Sequence, residues 1–531
     1  MTNYSEDLQM TDEAFNNFFP FPSTRDGQQD IVMEVLEQYR NGKKAVVLCA
    51  PTAVGKSAIA VCLARYFGTA YILTGQKTLQ NQYMNDFKNI GMQMIKGKYN
   101  YQCQMNPRLK CDMGVCTSTK MTGCSDCTYT RARESAYTSN LSVFNYTYFL
   151  NMVRTNYKHH IPRDFIVLDE CHGVEGQLID FMTVKLSIED FKEHEVRGLV
   201  KFPKENLSEE AKFEWLYGPA RSSIKTAFVY ETSELEDMHM DDPNYYNQTR
   251  KVSYLDTLIC MINRLEEQQH DSENDGVCIQ NKTYDITFKP LKCSSYGEDF
   301  LHNYGRKILA MSATVFDKDQ YCKDVGLNPE TTAFVQCESP IPADRRLVYD
   351  LNAVSLSYKN KEKNKPMLAE LVTDILDMHE GQRGIIHTVS YDIAKFLMET
   401  IVTDRFVMPR GATREETIDK FMKSGRDDLV LISPSLSEGI SLDDNLSRFT
   451  VVCKLPYGNL GDPWIKKRMN ISQRWYNNET IQSLVQMTGR SVRSKDDHAV
   501  SYILDSSFEW FYNSNGQRFP DWWKESLRKL T

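Results

Sequence analysis

The 531-residue sequence lacks the features of a membrane or secreted protein. It has no uninterrupted apolar run of about 18 residues, the length that a membrane-spanning helix needs. Residues 1–10 lack the basic start and apolar core of a secretory signal. Repeats at solenoid periods and low-complexity tracts are absent as well. We therefore expect a cytoplasmic protein with no membrane partner.

An excess of positive charge is also missing, because the formal net charge is -8. A nucleic-acid partner would have to be bound by a local basic groove, since the protein as a whole is acidic. Net charge therefore neither supports nor excludes such a partner. With 41% hydrophobic residues, a chain of this length can build three or four domains, which excludes a single small binding module.

The 14 cysteines are distributed unevenly. Nine are scattered singly, many in apolar segments, and are expected to be small core residues. The other five crowd into 25 residues, and in a cytosolic protein such clustering indicates a metal site. Their thiolates could hold zinc or an iron-sulfur cluster, and spacing alone does not discriminate between the two. The clustered residues are Cys103, Cys111, Cys116, Cys124 and Cys127.

A glycine-containing loop joins an apolar strand at residues 44–49 to a helical stretch at residues 56–66. This loop, Ala50-Pro-Thr-Ala-Val-Gly-Lys-Ser57, fits a phosphate-binding loop with alanine in place of the first glycine. Its backbone amides would hold phosphates, Lys56 would reach the β and γ oxygens, and Ser57 would ligate magnesium. The pattern predicts an ATP and Mg²⁺ site but leaves kinase, transporter ATPase and helicase open. The predicted nucleotide-binding residues are Thr52, Gly55, Lys56 and Ser57.

A second apolar strand ends in paired carboxylates, in the segment Phe165-Ile-Val-Leu-Asp-Glu-Cys-His172. Parallel strands deliver chemistry at their carboxyl ends, so Asp169 could bind magnesium while Glu170 activates the attacking water. His172 would couple this site to neighbouring motifs. The two carboxylates narrow the choice towards ATP hydrolysis.

A basic segment near the carboxyl terminus, Gln486-Met-Thr-Gly-Arg-Ser-Val-Arg493, is placed on a predicted helix. Spacings of four and three residues would set Gln486, Arg490 and Arg493 on one face of that helix. Two arginines aimed from a second domain at a triphosphate are what an arginine-finger mechanism requires.

Two series of apolar strands alternate with helical sequence and predict two α/β domains. The first series lies at residues 44–49, 70–74, 165–168 and 308–311, and the second at residues 384–387, 429–432, 449–453 and 500–504. Two stretches break the alternation and are predicted as insertions into the first domain. One is rich in Cys and Lys (96–133), and the other is polar and helical (about 175–281).

Taken together, these segments resemble the motifs of superfamily 2 helicases, and the finer similarity is to the XPD/DinG branch. The segments that carry it are Ala50 to Ser57, Asp169-Glu-Cys-His172, Ser312-Ala-Thr314, Gln486 to Arg493, Lys96-Gly-Lys-Tyr-Asn-Tyr-Gln-Cys103, Cys127-Thr-Tyr-Thr-Arg-Ala-Arg133, Ser437-Glu-Gly-Ile-Ser-Leu442, Leu455-Pro-Tyr457 and Asp462-Pro463. The resemblance implies two RecA-like motor domains that clamp ATP, with a cysteine-rich iron-sulfur insert and a helical Arch-like insert in the first.

The resemblance also implies roles for further residues. Arg25 and Gln28, after Phe21-Pro, match the adenine-contacting segment, and Glu438 and Gly439 match another nucleotide-binding motif. It favours a 4Fe-4S cluster over zinc, held by Cys103, Cys116, Cys124 and Cys127, with Cys111 as the spare thiol. The candidates for contacts with the nucleic-acid backbone are Thr74, Lys77 and Gln80.

These expectations divide the chain into six segments. The first motor domain occupies residues 1–98, 131–176 and 284–316, and it is interrupted by the iron-sulfur insert at residues 99–130 and the Arch-like insert at residues 177–283. The second motor domain occupies residues 317–531.

The sequence thus predicts an ATP-dependent DNA helicase that moves 5'-to-3' on single-stranded DNA and unwinds forked or tailed duplex as a monomer. An RNA helicase or RNA-stimulated ATPase is one alternative, for which the cysteine insert would be unusual. A metal-bearing nucleic-acid scaffold without productive ATP turnover is another. The intact set of residues for hydrolysis argues against the scaffold.

Overall fold

A computed structural model describes residues 10–114, 126–154, 161–194, 202–239, 242, 244–269, 276–411, 414–434, 442, 444–492, 494 and 496–529. No helix within these ranges is both long enough and apolar enough to cross a membrane. Two seven-stranded sheets and one three-stranded sheet organise the part of the chain that is described. The strands are β1 (Ala45–Cys49), β2 (Ala70–Thr74), β3 (Gln93–Met94), β4 (Leu141–Asn145), β5 (Arg163–Asp169), β6 (Val184–Ser187), β7 (Val277–Lys282), β8 (Asp285–Pro290), β9 (Gly305–Ser312), β10 (Thr332–Gln336), β11 (Val348–Val354), β12 (Gly384–His387), β13 (Phe406–Val407), β14 (Val430–Ser433), β15 (Phe449–Val452), β16 (Val500–Asp505) and β17 (Leu527–Lys529).

Helices connect most of the parallel strands, because a crossover between parallel strands is usually helical. They are α1 (Asp12–Phe18), α2 (Gln28–Arg40), α3 (Lys56–Phe67), α4 (Lys77–Phe87), α5 (Thr128–Thr138), α6 (Tyr146–Arg154), α7 (Val174–Met182), α8 (Ile188–Glu193), α9 (Glu209–Trp215), α10 (Arg221–Asp237), α11 (Tyr245–Gln269), α12 (Ser294–Phe300), α13 (Lys318–Val325), α14 (Lys361–Met378), α15 (Tyr391–Thr400), α16 (Arg414–Lys423), α17 (Pro463–Ile471), α18 (Gln473–Thr488), α19 (Ser507–Asn515) and α20 (Asp521–Lys524).

The first sheet is parallel throughout, with strand order β10-β1-β9-β5-β2-β4-β3. Successive side chains of β1 alternate between two hydrophobic cores, with Ala45 and Val47 in one and Val46 and Leu48 in the other. A strand covered on both faces has to be apolar at every position, which is why this one is a continuous apolar run. Strand β10 adds to this sheet beyond residue 316, where the sequence placed the end of the first domain.

The second sheet is also parallel, with strand order β13-β14-β12-β15-β16-β11-β17. Its central strands β12, β14 and β15 are fully buried. The prediction of two α/β domains built on parallel sheets is therefore confirmed.

The sequence predicted a helical second insert, but in the structure the insert also contains strands. Its helices α8 to α11 stand on a three-stranded antiparallel sheet of order β6-β8-β7. In β8, Ile286 and Phe288 are buried while their neighbours along the strand are less so. This period of two is the signature of a half-buried strand, and the surrounding polar helical sequence masked it.

The second domain packs against the first through helices α17 and α18. Trp464, Trp475 and Tyr476 belong to the same hydrophobic core as Val47 and Leu73 of the first sheet. The indole N–H of Trp464 donates to the carbonyl oxygen of Pro290 at 2.7 Å. The two sheets are thus held with a cleft between their domains.

Candidate active site

The phosphate loop follows β1 and ends at the first turn of α3. Gly55 (φ +84°) and Ala53 (φ +71°) both adopt left-handed backbone conformations, which let the loop curl back over the start of the helix. Lys56 is the first residue of α3, and its Nζ donates to the carbonyl oxygen of Ala50 at 3.1 Å. The amino terminus of α3 therefore faces the loop, as an anion site on a helix requires.

Arg25 and Gln28 lie against this loop from behind. The Arg25 guanidinium donates to the carbonyl oxygen of Ala53 at 2.8 Å, and the Gln28 amide donates to that of Val54 at 2.9 Å. A Cβ on Gly55 would collide with the Gln28 amide. The segment predicted to contact adenine is thus hydrogen-bonded to the predicted phosphate loop.

Asp169 ends strand β5 and is buried, with 3% of its surface exposed. Its Oδ2 accepts a hydrogen bond from the Tyr83 hydroxyl at 2.9 Å, and its main-chain oxygen accepts one from the Tyr146 hydroxyl at 3.0 Å. Ser57 also hydrogen-bonds to the Tyr83 hydroxyl, so the two predicted magnesium ligands share one partner. Burial, with repulsion from the adjacent Glu170, raises the pKa of Asp169 to about 7.

Glu170 and His172 begin a chain of hydrogen bonds that crosses between the domains. Glu170 has a left-handed backbone (φ +50°), and its carboxylate lies 3.3 Å from His172 Nδ1. The amide nitrogen of Gln486, on helix α18 of the second domain, lies 3.0 Å from His172 Nε2 and 3.3 Å from the Thr314 hydroxyl. With that amide as donor, the ring proton is on Nδ1, where the Ser312 hydroxyl is 2.9 Å away.

The structure corrects the prediction for the basic segment. Helix α18 ends at Thr488 with Gly489 as its cap, so Gln486 is helical but Arg490 is not. A glycine after a β-branched residue ends a helix more readily than it continues one. Arg490 is nonetheless buried beside His387, whose pKa falls to about 3 because of burial and this guanidinium. Arg493 lies outside the described residues.

A cleft of about 600 Å³ between the domains brings these groups together. Such a volume is in the range of small-molecule sites. The Thr52 hydroxyl spans the cleft to the carbonyl oxygen of Val492 at 3.4 Å. The predicted residues that line the cleft are Thr52, Lys56, Glu170, His172, Gln486 and Arg490. Glu438 and Gly439 lie outside the described residues.

Two of the three candidates for nucleic-acid contact are buried. Thr74 and Gln80 have no exposed surface, and the Gln80 amide donates to the carbonyl oxygens of Ile95 (2.7 Å) and Val143 (3.2 Å). They support the segment instead of presenting it to a ligand, and the prediction for them is wrong. Lys77 is exposed, with its ammonium 4.7 Å from the centre of the Tyr99 ring.

Three of the clustered cysteines are described, and all three are buried. The Cys111 thiol hydrogen-bonds to that of Cys127, and burial together with this neighbour raises the pKa of Cys111 to about 11. A Cβ on Gly114 would lie 3.3 Å from Cys103 Sγ, so a glycine leaves space beside this thiol. Across the described ranges, no three His, Cys, Asp or Glu side chains form a group that could hold a metal ion. Cys116 and Cys124 lie outside those ranges.

Sequence reasoning missed Tyr83 and Tyr146, the two buried hydroxyls that hold Asp169. Tyr83 lies three residues after Gln80 and thus on the same face of α4. That spacing indicates only that Tyr83 and Gln80 lie on one side of the helix. The sequence does not show that this side of the helix faces Asp169, because the contact depends on the fold.

Two family models match the chain. The helicase C-terminal domain matches residues 374–526, which contain most of the second sheet. The res subunit of type III restriction enzymes matches residues 22–199, which contain the phosphate loop and Asp169.

Curated relatives are similar at low identity. A probable ATP-dependent helicase of Methanocaldococcus jannaschii is 20% identical, and the match covers 96% of this chain and 94% of the relative. The ATP-dependent DNA helicase CHL1 of Debaryomyces hansenii is 22% identical over 54% of this chain. The chain spans only 40% of the length of that yeast relative.

Solved structures share the fold. The structure of Xpd4 from S. tokodaii superposes with a TM-score of 0.63 at 15% identity, covering 96% of this chain and all of that one. A structure described as an XPD helicase gives a TM-score of 0.65 at 16% identity with the same coverage.

Proposed function

We propose that the chain is an XPD/DinG-like helicase of superfamily 2, an ATP-driven motor that moves 5'-to-3' along single-stranded DNA and unwinds duplex. The observation that carries this proposal is the hydrogen bond between Gln486 of the second domain and His172 of the first, 3.0 Å long. His172 in turn lies 3.3 Å from Glu170. A hydrolysis site built from two domains opens and closes when its ligand changes, and that motion can move a strand.

In the proposed reaction, Lys56 and the amides of the loop bind the phosphates of ATP. Glu170 orients the water that attacks the γ-phosphorus, and the bond to the departing ADP oxygen breaks as the new P–O bond forms. The hydrogen bond between His172 and Gln486 couples the loss of the γ-phosphate to a movement of the second domain. Arg490 and Arg493 stabilise the negative charge that develops on the transferred group.

The side chains around Asp169 fit a divalent cation. Ser57 and Asp169 bond to the same Tyr83 hydroxyl, so their oxygens are close together, and hard oxygen donors are the ligands that Mg²⁺ prefers. When bound, magnesium would neutralise charge on the β and γ oxygens. Ser57 and Asp169 would hold it, while Arg25 and Gln28 contact the base.

The cysteine segment is proposed to hold a 4Fe-4S cluster, with zinc as the alternative. The donors present are thiols, and the Cys111 to Cys127 contact supports Cys111 as a ligand, whereas the sequence took it as the spare thiol. Residues 96–133 carry seven Lys or Arg against two Asp or Glu. That local excess supports binding of a phosphate backbone near the cluster.

DNA is proposed as the substrate because the yeast relative is named a DNA helicase. ATP turnover measured alone, with single-stranded DNA and with RNA tests this choice. We expect DNA to stimulate turnover most, and a duplex with a 5' tail to be unwound in preference to one with a 3' tail. Lys56→Ala is the control without hydrolysis. If RNA stimulates ATP turnover and DNA does not, the protein is an RNA-stimulated ATPase. If neither nucleic acid gives ATP turnover, the protein is a nucleic-acid-binding scaffold.

A further inference from the structure

Tyr83 brings a hydroxyl to Asp169 from a helix outside the strand and the loop that form the proposed ATP site. The residue lies on α4 with 1% of its surface exposed. Its ring packs against Phe87, with centroids 5.7 Å apart. The Tyr83 hydroxyl donates to Asp169 Oδ2 at 2.9 Å, and Ser57 hydrogen-bonds to the Tyr83 hydroxyl oxygen. A phenylalanine would fill the same space but would make neither bond.

The Tyr83 hydroxyl is the donor in its hydrogen bond to Asp169 Oδ2. A carboxylate oxygen that accepts a hydrogen bond from a fixed donor is confined to one rotamer, with its other oxygen directed elsewhere. Here the second oxygen, Oδ1, accepts the backbone N–H of Glu170 at 2.9 Å.

Helix α4 is itself held in place by buried contacts. Gln80, one turn before Tyr83, donates to the main chain at Ile95 and Val143 on two neighbouring segments. These bonds fix the helix against strand β4 and the residue that follows strand β3. The position of the Tyr83 hydroxyl is therefore set by the fold, as a group that orients a metal ligand requires.

We propose that Tyr83 is a positioning residue for the divalent cation: its hydroxyl orients Asp169 and Ser57 as a pair of ligands. This inference rests on the proposed role of these two residues in binding magnesium. Groups that orient metal ligands typically contribute about 10-fold to 100-fold in metal affinity. We therefore expect the Tyr83→Phe substitution to weaken cation binding by about tenfold while leaving nucleotide affinity without metal unchanged.

The test uses Mn²⁺, whose binding to the full chain with ADP is measured by electron paramagnetic resonance. Tyr39→Phe is the matched control, because Tyr39 is equally buried and its hydroxyl donates to the Ile308 carbonyl oxygen at 2.7 Å, away from the cleft. Tyr83→Phe should raise the dissociation constant of Mn²⁺ about tenfold, whereas Tyr39→Phe should leave it unchanged. Among the variants of the site, only Tyr83→Phe should regain ATP turnover when Mn²⁺ is in excess.

Asp169→Asn separates the two ways in which the idea can fail. Loss of Mn²⁺ binding in Asp169→Asn with unchanged binding in Tyr83→Phe would overturn the inference and leave the proposed site standing. Unchanged Mn²⁺ binding in Asp169→Asn would overturn the site itself. An equal loss in Tyr83→Phe and Tyr39→Phe would show that the hydroxyls act only on stability, and this too would overturn the inference.

Discussion

Arg468 of the second domain forms a buried ion pair with Glu175 of the first, with 2.6 Å between guanidinium nitrogen and carboxylate oxygen. The same guanidinium also pairs with Asp324, and the Trp475 indole donates to Glu175 at 2.8 Å. Glu175 follows His172 by three residues, so this pair connects the last turn of helix α17 to the start of helix α7, which follows the proposed hydrolysis site.

Removing this guanidinium should destabilise the contact between the domains. Above about pH 7, where Asp324 is charged, Arg468→Met leaves two buried carboxylates without their cation. Breaking a buried pair in this way costs about 3 to 5 kcal/mol. Lys467→Met is the control on the same helix, since its pair with Glu209 is solvent-exposed and such pairs are worth about 1 kcal/mol or less. Urea unfolding followed by tryptophan fluorescence measures both. Equal midpoints for the two variants would contradict the expectation.

The same cluster should make stability depend on pH. Burial and repulsion from Glu175, opposed by Arg468, raise the pKa of Asp324 to about 7. An unfolded aspartate titrates near about 4, so between these values the folded protein holds a proton that the unfolded chain has lost. The Asp324 contribution to the unfolding free energy therefore falls as pH rises through this window.

Asp324→Asn isolates that contribution, because asparagine has no proton to lose. The stability advantage of the parent protein over Asp324→Asn should shrink from about pH 4 to about pH 7. Unfolding curves at several pH values provide the comparison. Lys292 also faces this carboxylate and favours its charged form. An advantage that grew with pH would mean that the two cations dominate.

Arg490 should act on turnover more than on ATP affinity. Its guanidinium is buried in the cleft beside a neutral His387. An arginine finger stabilises transition-state charge and is worth about 10³ or more in rate in phosphoryl-transfer enzymes. Arg490→Ala should therefore lower the turnover number by about that factor with little change in ATP affinity. Arg426→Ala, at an exposed surface pair of the second domain, serves as control. A normal turnover number for Arg490→Ala would make this arginine structural.

The iron-sulfur cluster proposed for the cysteine segment should give the protein a visible colour. Protein purified without oxygen should be brown and contain about four iron atoms per chain. Cys103→Ser and Cys127→Ser should bleach it and impair unwinding more than ATP hydrolysis. Because Cys111 contacts Cys127, we expect Cys111→Ser to be as damaging, whereas the sequence predicted the mildest effect. If metal analysis finds stoichiometric zinc and no iron, the cysteine segment holds zinc and not an iron-sulfur cluster.

The sequence predicted the strands that carry the site because these are buried on both faces and end in polar residues. Strands β1 and β5 are of this kind. The edge strands β3 and β17 are only partly buried, so their short segments carry little apolar signal. The predicted helix continues past Thr488 because the charge spacing fits a helical face, whereas in the structure the helix ends there and Gly489 is its cap. Tyr83 meets Asp169 through tertiary packing alone.

The second insert leaves the first domain at β6 and returns at β8, and these two strands pair, with Val184 opposite Phe288. A detour whose two ends are already neighbours can be lengthened, shortened or exchanged while the main sheets keep their threading. The insert is in this sense an interchangeable cassette, and a short turn joining β6 to β8 would close the chain again.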